Sequence, residues 1–139
     1  MDKCFQLNIV TTETEIYSGL AKKLIVPGIL GELEILCNHT PFLTSLSIGP
    51  IWFEDSEGKL NSFIMLGGIL EVQPKVSTIL GDSVIRAENL DEAAAIEAKN
   101  NSERIFSKKE GNIDYAKVKN ELAIAIAQLR LIRKMKDKR

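Results

Sequence analysis

The spacing of hydrophobic positions along this chain changes period part-way through. Near the start, Phe5, Leu7 and Ile9 alternate with Gln6, Asn8 and Val10, a period of two with one apolar exception, as in a half-buried strand. Short apolar runs then recur between turn residues: 23–26 before Pro27-Gly28, 33–37, 48–53, 60–66 before Gly67-Gly68, 69–72 and 76–80. The polar stretch 54–59 (Glu-Asp-Ser-Glu-Gly-Lys) predicts a hairpin loop. Roughly eight to ten strands at this spacing predict a small antiparallel sandwich or flattened barrel. No helical period separates the runs, which argues against an α/β sheet. The reading taken is a β-sandwich over residues 1–87.

Beyond residue 87 the period becomes helical. Asn89 is placed to cap a first helix, with Glu92 three residues on as in a capping box. That helix runs through Ala93-Ala94-Ala95-Ile96 to Ser107 or Lys108. Gly111-Asn112 breaks it, and Asn112 is placed to cap a second helix with Asp114 in its first turn. In the second helix Tyr115, Val118, Leu122, Ala125, Leu129 and Ile132 recur at steps of three and four. This narrow seam suits packing along a partner helix. The short connection makes the first helix that partner, giving an antiparallel αα-hairpin over residues 88–139 and an α+β chain.

The hairpin is expected to be marginal alone. Burying Val118, Leu122, Leu129 and Ile132 contributes at most ~1.5–3 kcal/mol each. Ordering the backbone costs on the order of 1–2 kcal/mol per residue, only partly offset by helix hydrogen bonds. Docking onto the sandwich or onto another protein would tip the balance, so more than one docked state is expected.

Composition breaks at the same place. All four prolines (Pro27, Pro41, Pro50, Pro74) and eight of the nine glycines precede residue 88. Residues 1–87 carry 6 basic and 10 acidic side chains, and residues 88–139 carry 12 and 9. The 139-residue chain has a net charge of -1, unlike a polycation that coats nucleic acid. No apolar run approaches the ~20 residues of a membrane-spanning helix. The N-terminus lacks the pattern of a signal peptide. Cys4 and Cys37 are too few for a disulfide framework or a zinc set. A reducing, cytoplasmic setting is expected.

Few residues invite chemistry. His39, the one histidine, stands two positions from Cys37, so the two share a face if the segment is extended. A nucleophilic pair also needs an orienting third group and an oxyanion site. Nothing here supplies them, and a loop or interface histidine is the reading taken. Gly28 and Gly31 lack the pattern of a phosphate loop and read as a turn. Gly67-Gly68 reads as a bulge or a close sheet contact. The C-terminal helix ends with Arg130, Arg133, Lys134, Lys136, Lys138 and Arg139 against Asp137. Aromatic interleaving for nucleic acid is missing, as are Trp and Phe for a membrane surface. Two readings stay open: a solvated helix end, or a basic face that docks on an acidic protein.

The order of several short motifs adds a resemblance. They are Tyr17-Ser18-Gly19, Gly31-Glu32-Leu33-Glu34-Ile35, and Asn38-His39-Thr40-Pro41-Phe42-Leu43-Thr44. Next come Gly67-Gly68-Ile69-Leu70-Glu71-Val72-Gln73-Pro74 and Val76-Ser77-Thr78-Ile79-Leu80-Gly81-Asp82. The helical half adds Leu90-Asp91-Glu92-Ala93, Asp114-Tyr115-Ala116, Glu121-Leu122-Ala123 and Ala127-Gln128-Leu129-Arg130. From about Phe5 to Met135 the chain resembles the epsilon subunit of F-type ATP synthases.

The resemblance implies a non-catalytic rotor component without cofactor, metal or nucleic acid. Its sandwich would bind the gamma subunit with one face and touch the ring of c subunits with its loop end. The ring-facing loops would hold Gly28, Gly31 and Glu32, and His39, Pro41, Phe42 and Leu43. The hairpin would switch between folding on the sandwich and extending into the catalytic head. There Arg130, Arg133 and Lys134 would meet an acidic segment of the beta subunits, beside alpha, and block ATP hydrolysis. The implied location is peripheral, on the cytoplasmic face of the bacterial inner membrane. Three positions depart from the pattern. Ala94 replaces the arginine of members that bind ATP on the hairpin, which argues against ATP sensing. Glu34 replaces a frequent Gly, and Cys37 a frequent Pro.

Overall fold

A computed structural model of the chain describes residues 3–86, 90–108 and 114–137. Seven strands precede two helices: β1 (Phe5–Thr11), β2 (Glu15–Gly28), β3 (Gly31–Leu36), β4 (Phe42–Asp55), β5 (Leu60–Val72), β6 (Val76–Gly81), β7 (Val84–Arg86), α1 (Glu92–Lys108) and α2 (Tyr115–Asp137). The alternation read at Phe5, Leu7 and Ile9 puts these three side chains in the core.

The strands form one continuous ladder folded into two layers. In the first layer, the N-terminal half of β2 pairs with β1, β1 with β6, β6 with the C-terminal half of β5, and that half with residues 42–46 of β4. In the second, β3 pairs with the C-terminal half of β2, which pairs with the rest of β4. The ladder then continues to the N-terminal half of β5 and to β7. β2, β4 and β5 thus cross from one layer to the other. This explains why the sequence reads as eight to ten short strands while the described residues hold seven. The turn-like residues mark bends inside long strands. Pro27 and Pro50 lie where the β2–β4 register shifts between Ile25 and Gly28, a position that tolerates a missing N–H. Gly68 sits where a Cβ would come within 2.5 Å of the Leu80 carbonyl oxygen. The close sheet contact expected at Gly67-Gly68 is therefore present.

One pairing departs from the antiparallel expectation, since β1 runs parallel to β6. Such pairing needs a long connection, here all of β2 to β5. Leu24, Val26, Ile51, Phe53, Phe63, Met65, Leu70, Val72 and Ile79 join β1's apolar side chains between the layers.

The helices form the expected antiparallel hairpin, with Lys136 near the end of α2 bonded to Glu92 at the start of α1, 2.7 Å apart. Phe106 and Tyr115 stack at the other end. The caps expected at Asn89 and Asn112 lie outside the described residues. Asp91 and Asp114 act as caps, their Oδ1 atoms accepting the N–H of Ala94 and of Lys117, each at 3.2 Å.

The hairpin is docked. α2 lies on the outer face of the second layer, where Ala127 and Leu131 pack on Trp52 and Ile64, with Ile25, Ile48, Leu66, Ile85, Leu90 and Met135 around them. This stripe is distinct from the seam read in the sequence, of which Val118 and Ala125 are buried. α2 is therefore apolar on two sides, one for α1 and one for the sheet.

Candidate interaction surfaces

The first surface lies at the junction of β2, β3 and β4. Gly28 pairs with Gly31 across a two-residue turn whose apex is Ile29-Leu30. Gly31 has φ 134°, a backbone region that favours glycine. The turn leaves Ile29 60% and Leu30 99% exposed. Glu32, next to Gly31, is also exposed. The apex leans on β4, with the Ile29 N–H donating to the Ser45 carbonyl at 3.3 Å. The segment entering β4 carries the second group of predicted residues. Asn38 takes φ 67°, and its N–H donates to the Pro74 carbonyl at 2.9 Å. The His39 and Phe42 rings lie 5.3 Å apart, and Leu43 is 68% exposed. The fold thus brings both predicted loops to one short stretch of β4. Apolar apex residues with a carboxylate at the margin suit a protein contact better than catalysis.

Cys37 and His39 have other partners. The Cys37 thiol donates to the Cys4 carbonyl, with Sγ 3.3 Å from the oxygen. His39 Nδ1 lies 2.8 Å from the Thr40 carbonyl oxygen, a contact for its N–H tautomer. A nucleophile–base pair needs these atoms for each other.

The second surface is the open outer face of the first layer. Val10, Leu80, Ile69 and Ser45 form one cross-strand row, in which Leu80 and Ile69 are exposed. Leu43, Leu20 and Val76 add exposed apolar area on the same face. Sequence reasoning did not single out this row. The available signal was Val76 and Leu80 on β6, apolar and in phase with each other, while Ser77 and Ile79 turn inward. Glu71, Thr78, Asn8 and Ser18 lie between these apolar positions on the face, a mixture of exposed apolar and polar side chains that suits a protein contact.

The third surface is the basic end of α2. Arg130 and Arg133 are exposed, but Lys134 turns back so that its Nζ sits 5.1 Å from the centre of the Trp52 ring. That is a cation–π contact, so in the docked state this cation faces the sandwich. On α1, Ala94 joins Ala95, Ala98, Glu121, Ile124, Ala125 and Gln128 in a shallow groove of about 310 Å³. Its charged side chain is Glu121, while a larger open cleft that Ala94 also lines, about 810 Å³, holds Glu97 and Arg104.

Comparison with known proteins agrees with this architecture. Residues 4–87 match the family model "ATP synthase, Delta/Epsilon chain, beta-sandwich domain". Residues 88–133 match "ATP synthase, Delta/Epsilon chain, long alpha-helix domain". The ATP synthase epsilon chain of Nitrosococcus oceani is 42% identical over 138 residues, 99% of either chain. That of a Janthinobacterium species is 44% identical over 140 residues, covering both chains fully. Among solved structures, a chain of the Euglena gracilis mitochondrial ATP synthase (OSCP/F1/c-ring) superposes with TM-score 0.85 at 17% identity. The match covers 94% of this chain and 82% of that one. A chain of the Tetrahymena thermophila mitochondrial ATP synthase (central stalk/c-ring) superposes with TM-score 0.59 at 16% identity, covering 94% and 95%. With matched domains spanning nearly the whole sequence and relatives above 40% identity end to end, the chain belongs to the ATP synthase epsilon chain family.

Proposed function

We propose that this chain is a central-stalk subunit of a proton-translocating F-type ATP synthase, where it couples rotation of the c-ring to the catalytic head and restrains ATP hydrolysis through its helices. The carrying observation is the asymmetry of the sandwich. One outer face is covered by α2 through Trp52 and Ile64, while the opposite face exposes Ile69 and Leu80. The open face is the gamma-binding surface. The junction holding Gly28, Gly31, Glu32, His39, Pro41, Phe42 and Leu43 meets the c-ring, with Ile29 and Leu30 as the apolar apex. When the hairpin leaves the sandwich, Arg130, Arg133 and Lys134 face an acidic surface of the beta subunits, next to alpha. No described helix is long and apolar enough to cross a membrane. In this reading, association with the cytoplasmic face of a bacterial inner membrane comes through the complex. The chain contributes no catalytic group in this role.

The test is co-expression with the gamma subunit of the same genome, followed by size exclusion. The expected result is a one-to-one complex, lost when Ile69 and Leu80 are both changed to Glu. Two carboxylates desolvated against an apolar partner cost several kcal/mol (on the order of 10²-fold or more in affinity). A folded chain that ignores gamma would overturn the reading in favour of an unrelated adaptor.

A further inference from the structure

The two cysteines stand at the ends of two strands that share an edge. β1 and β3 both pair with β2 on the side away from β4, because Ala21 faces Phe5 and Asp55, and Leu24 faces Ile35 and Phe53. β1 begins opposite Ala21 and β3 ends opposite Lys23. Cys4 precedes the first β1 pair and Cys37 follows the last β3 pair, so both stand at the gap beside Lys22. β3 and β1 therefore run end to end, and the cysteines meet in the gap. The contact is direct, since Cys37 Sγ lies 3.3 Å from the Cys4 carbonyl oxygen. A residue's own Cβ is about 3 Å from its carbonyl oxygen by standard covalent geometry. Cys37 Sγ thus rests against the Cys4 backbone, which makes the two cysteines neighbours in space. Both cysteines are free and half-buried.

We propose that Cys4 and Cys37 are a dithiol that closes into a reversible intrachain disulfide by exchange with a low-molecular-weight disulfide such as oxidised glutathione. One cysteine, as thiolate, attacks a glutathione sulfur and expels a glutathione thiolate, leaving a mixed disulfide. The second, as thiolate, attacks the protein-side sulfur and expels the other glutathione. The pair loses two protons and two electrons, and one oxidised glutathione becomes two reduced ones. The bond ties the entry of β1 to the start of the segment carrying His39, Phe42 and Leu43. Asn38, next in sequence, is already anchored to Pro74. Closure fixes that segment from both sides.

The experiment incubates the full chain with oxidised glutathione, traps free thiols with iodoacetamide and measures intact mass. The expected product is a monomer lighter by about 2 Da, with neither cysteine alkylated and full reversal by dithiothreitol. Peptide mapping should join Cys4 to Cys37. Cys4→Ser and Cys37→Ser chains should instead retain one glutathione each. A wild-type chain that accumulates glutathione on both cysteines, or forms covalent dimers, without the internal bond would overturn the proposal. Gamma binding is not read in this test, so its failure leaves the stalk assignment untouched.

Discussion

At the scale of single residues, Asp55 shows how one side chain organises the turn that joins two long strands. Its Oδ1 accepts the N–H of Lys59 at 2.9 Å and that of Glu57 at 3.0 Å. These bonds reward the ionised form, the Lys59 N–H most, and hold the carboxyl below its ordinary value of 3.8. A carboxyl depressed in the folded state contributes stability above its unfolded pKa and loses it as pH falls through the folded one. The contribution of the Asp55 turn is therefore intact at neutral pH, starts to fall near pH 3.8 and is lost as pH passes through the lower folded-state value. Asp55→Asn keeps an acceptor but removes the titration. Chemical denaturation of the variant should show a shallower loss of stability on the acid side of pH 4. An unchanged acid slope would mean that other carboxylates carry it.

At the scale of elements, α2 is the one built for two partners, and Leu131 tests its sheet-facing side. Leu131 is fully buried against Trp52 and Ile64. Leu131→Ala leaves a cavity that costs about 2–5 kcal/mol when nothing relaxes. Here the hairpin can lift away, so the measured loss is capped by the free energy of docking. Hydrogen exchange should accelerate in α2 while β1 and β5 keep their protection. Equal acceleration in both would mean that hairpin and sandwich unfold as one unit. The same helix shows what was legible beforehand. The seam from Val118 to Ile132 could be read because its spacing matches one partner. Ala127, Leu131 and Met135 were hidden because a second apolar stripe on the same helix blurs the period. In the sandwich, alternation disclosed the core of β1. The bend at Pro27 read as a strand end and that at Pro50 passed unmarked inside the run 48–53, since a register shift depends on the neighbouring strand. The β1–β6 pairing is likewise a long-range fact. For the candidate surfaces, the two loops were marked by glycine, proline and the motifs around them. Ile69 and Leu80 were not, because an outward apolar residue in a strand is spelled like an inward one.

At the scale of the whole molecule, hairpin and sandwich compete for the same groups. Lys134 rests on Trp52 while α2 is down. That cation must give up its contact before it meets an acidic surface elsewhere, whereas the Lys136–Glu92 pair ties α2 to α1 within the hairpin. In the proposed role, inhibition by an extended hairpin would work against a docking energy. Removing residues 88–139 takes away the cover of Trp52 and Ile64 but leaves the core between the layers whole. The truncated chain should still bind gamma through the open face and melt several degrees lower. Trp52 is the only tryptophan, so a red-shifted emission would report the newly wet face. In the assembled complex the truncation should raise ATP hydrolysis. The Arg130→Ala, Arg133→Ala, Lys134→Ala triple variant should raise it too with both helices still present, even though it also removes the Lys134–Trp52 contact that holds α2 down. Hydrolysis unmoved by the triple variant but released by truncation would assign the restraint to the bulk of the helices. Gamma binding lost on truncation would mean that the hairpin holds the open face in shape from behind.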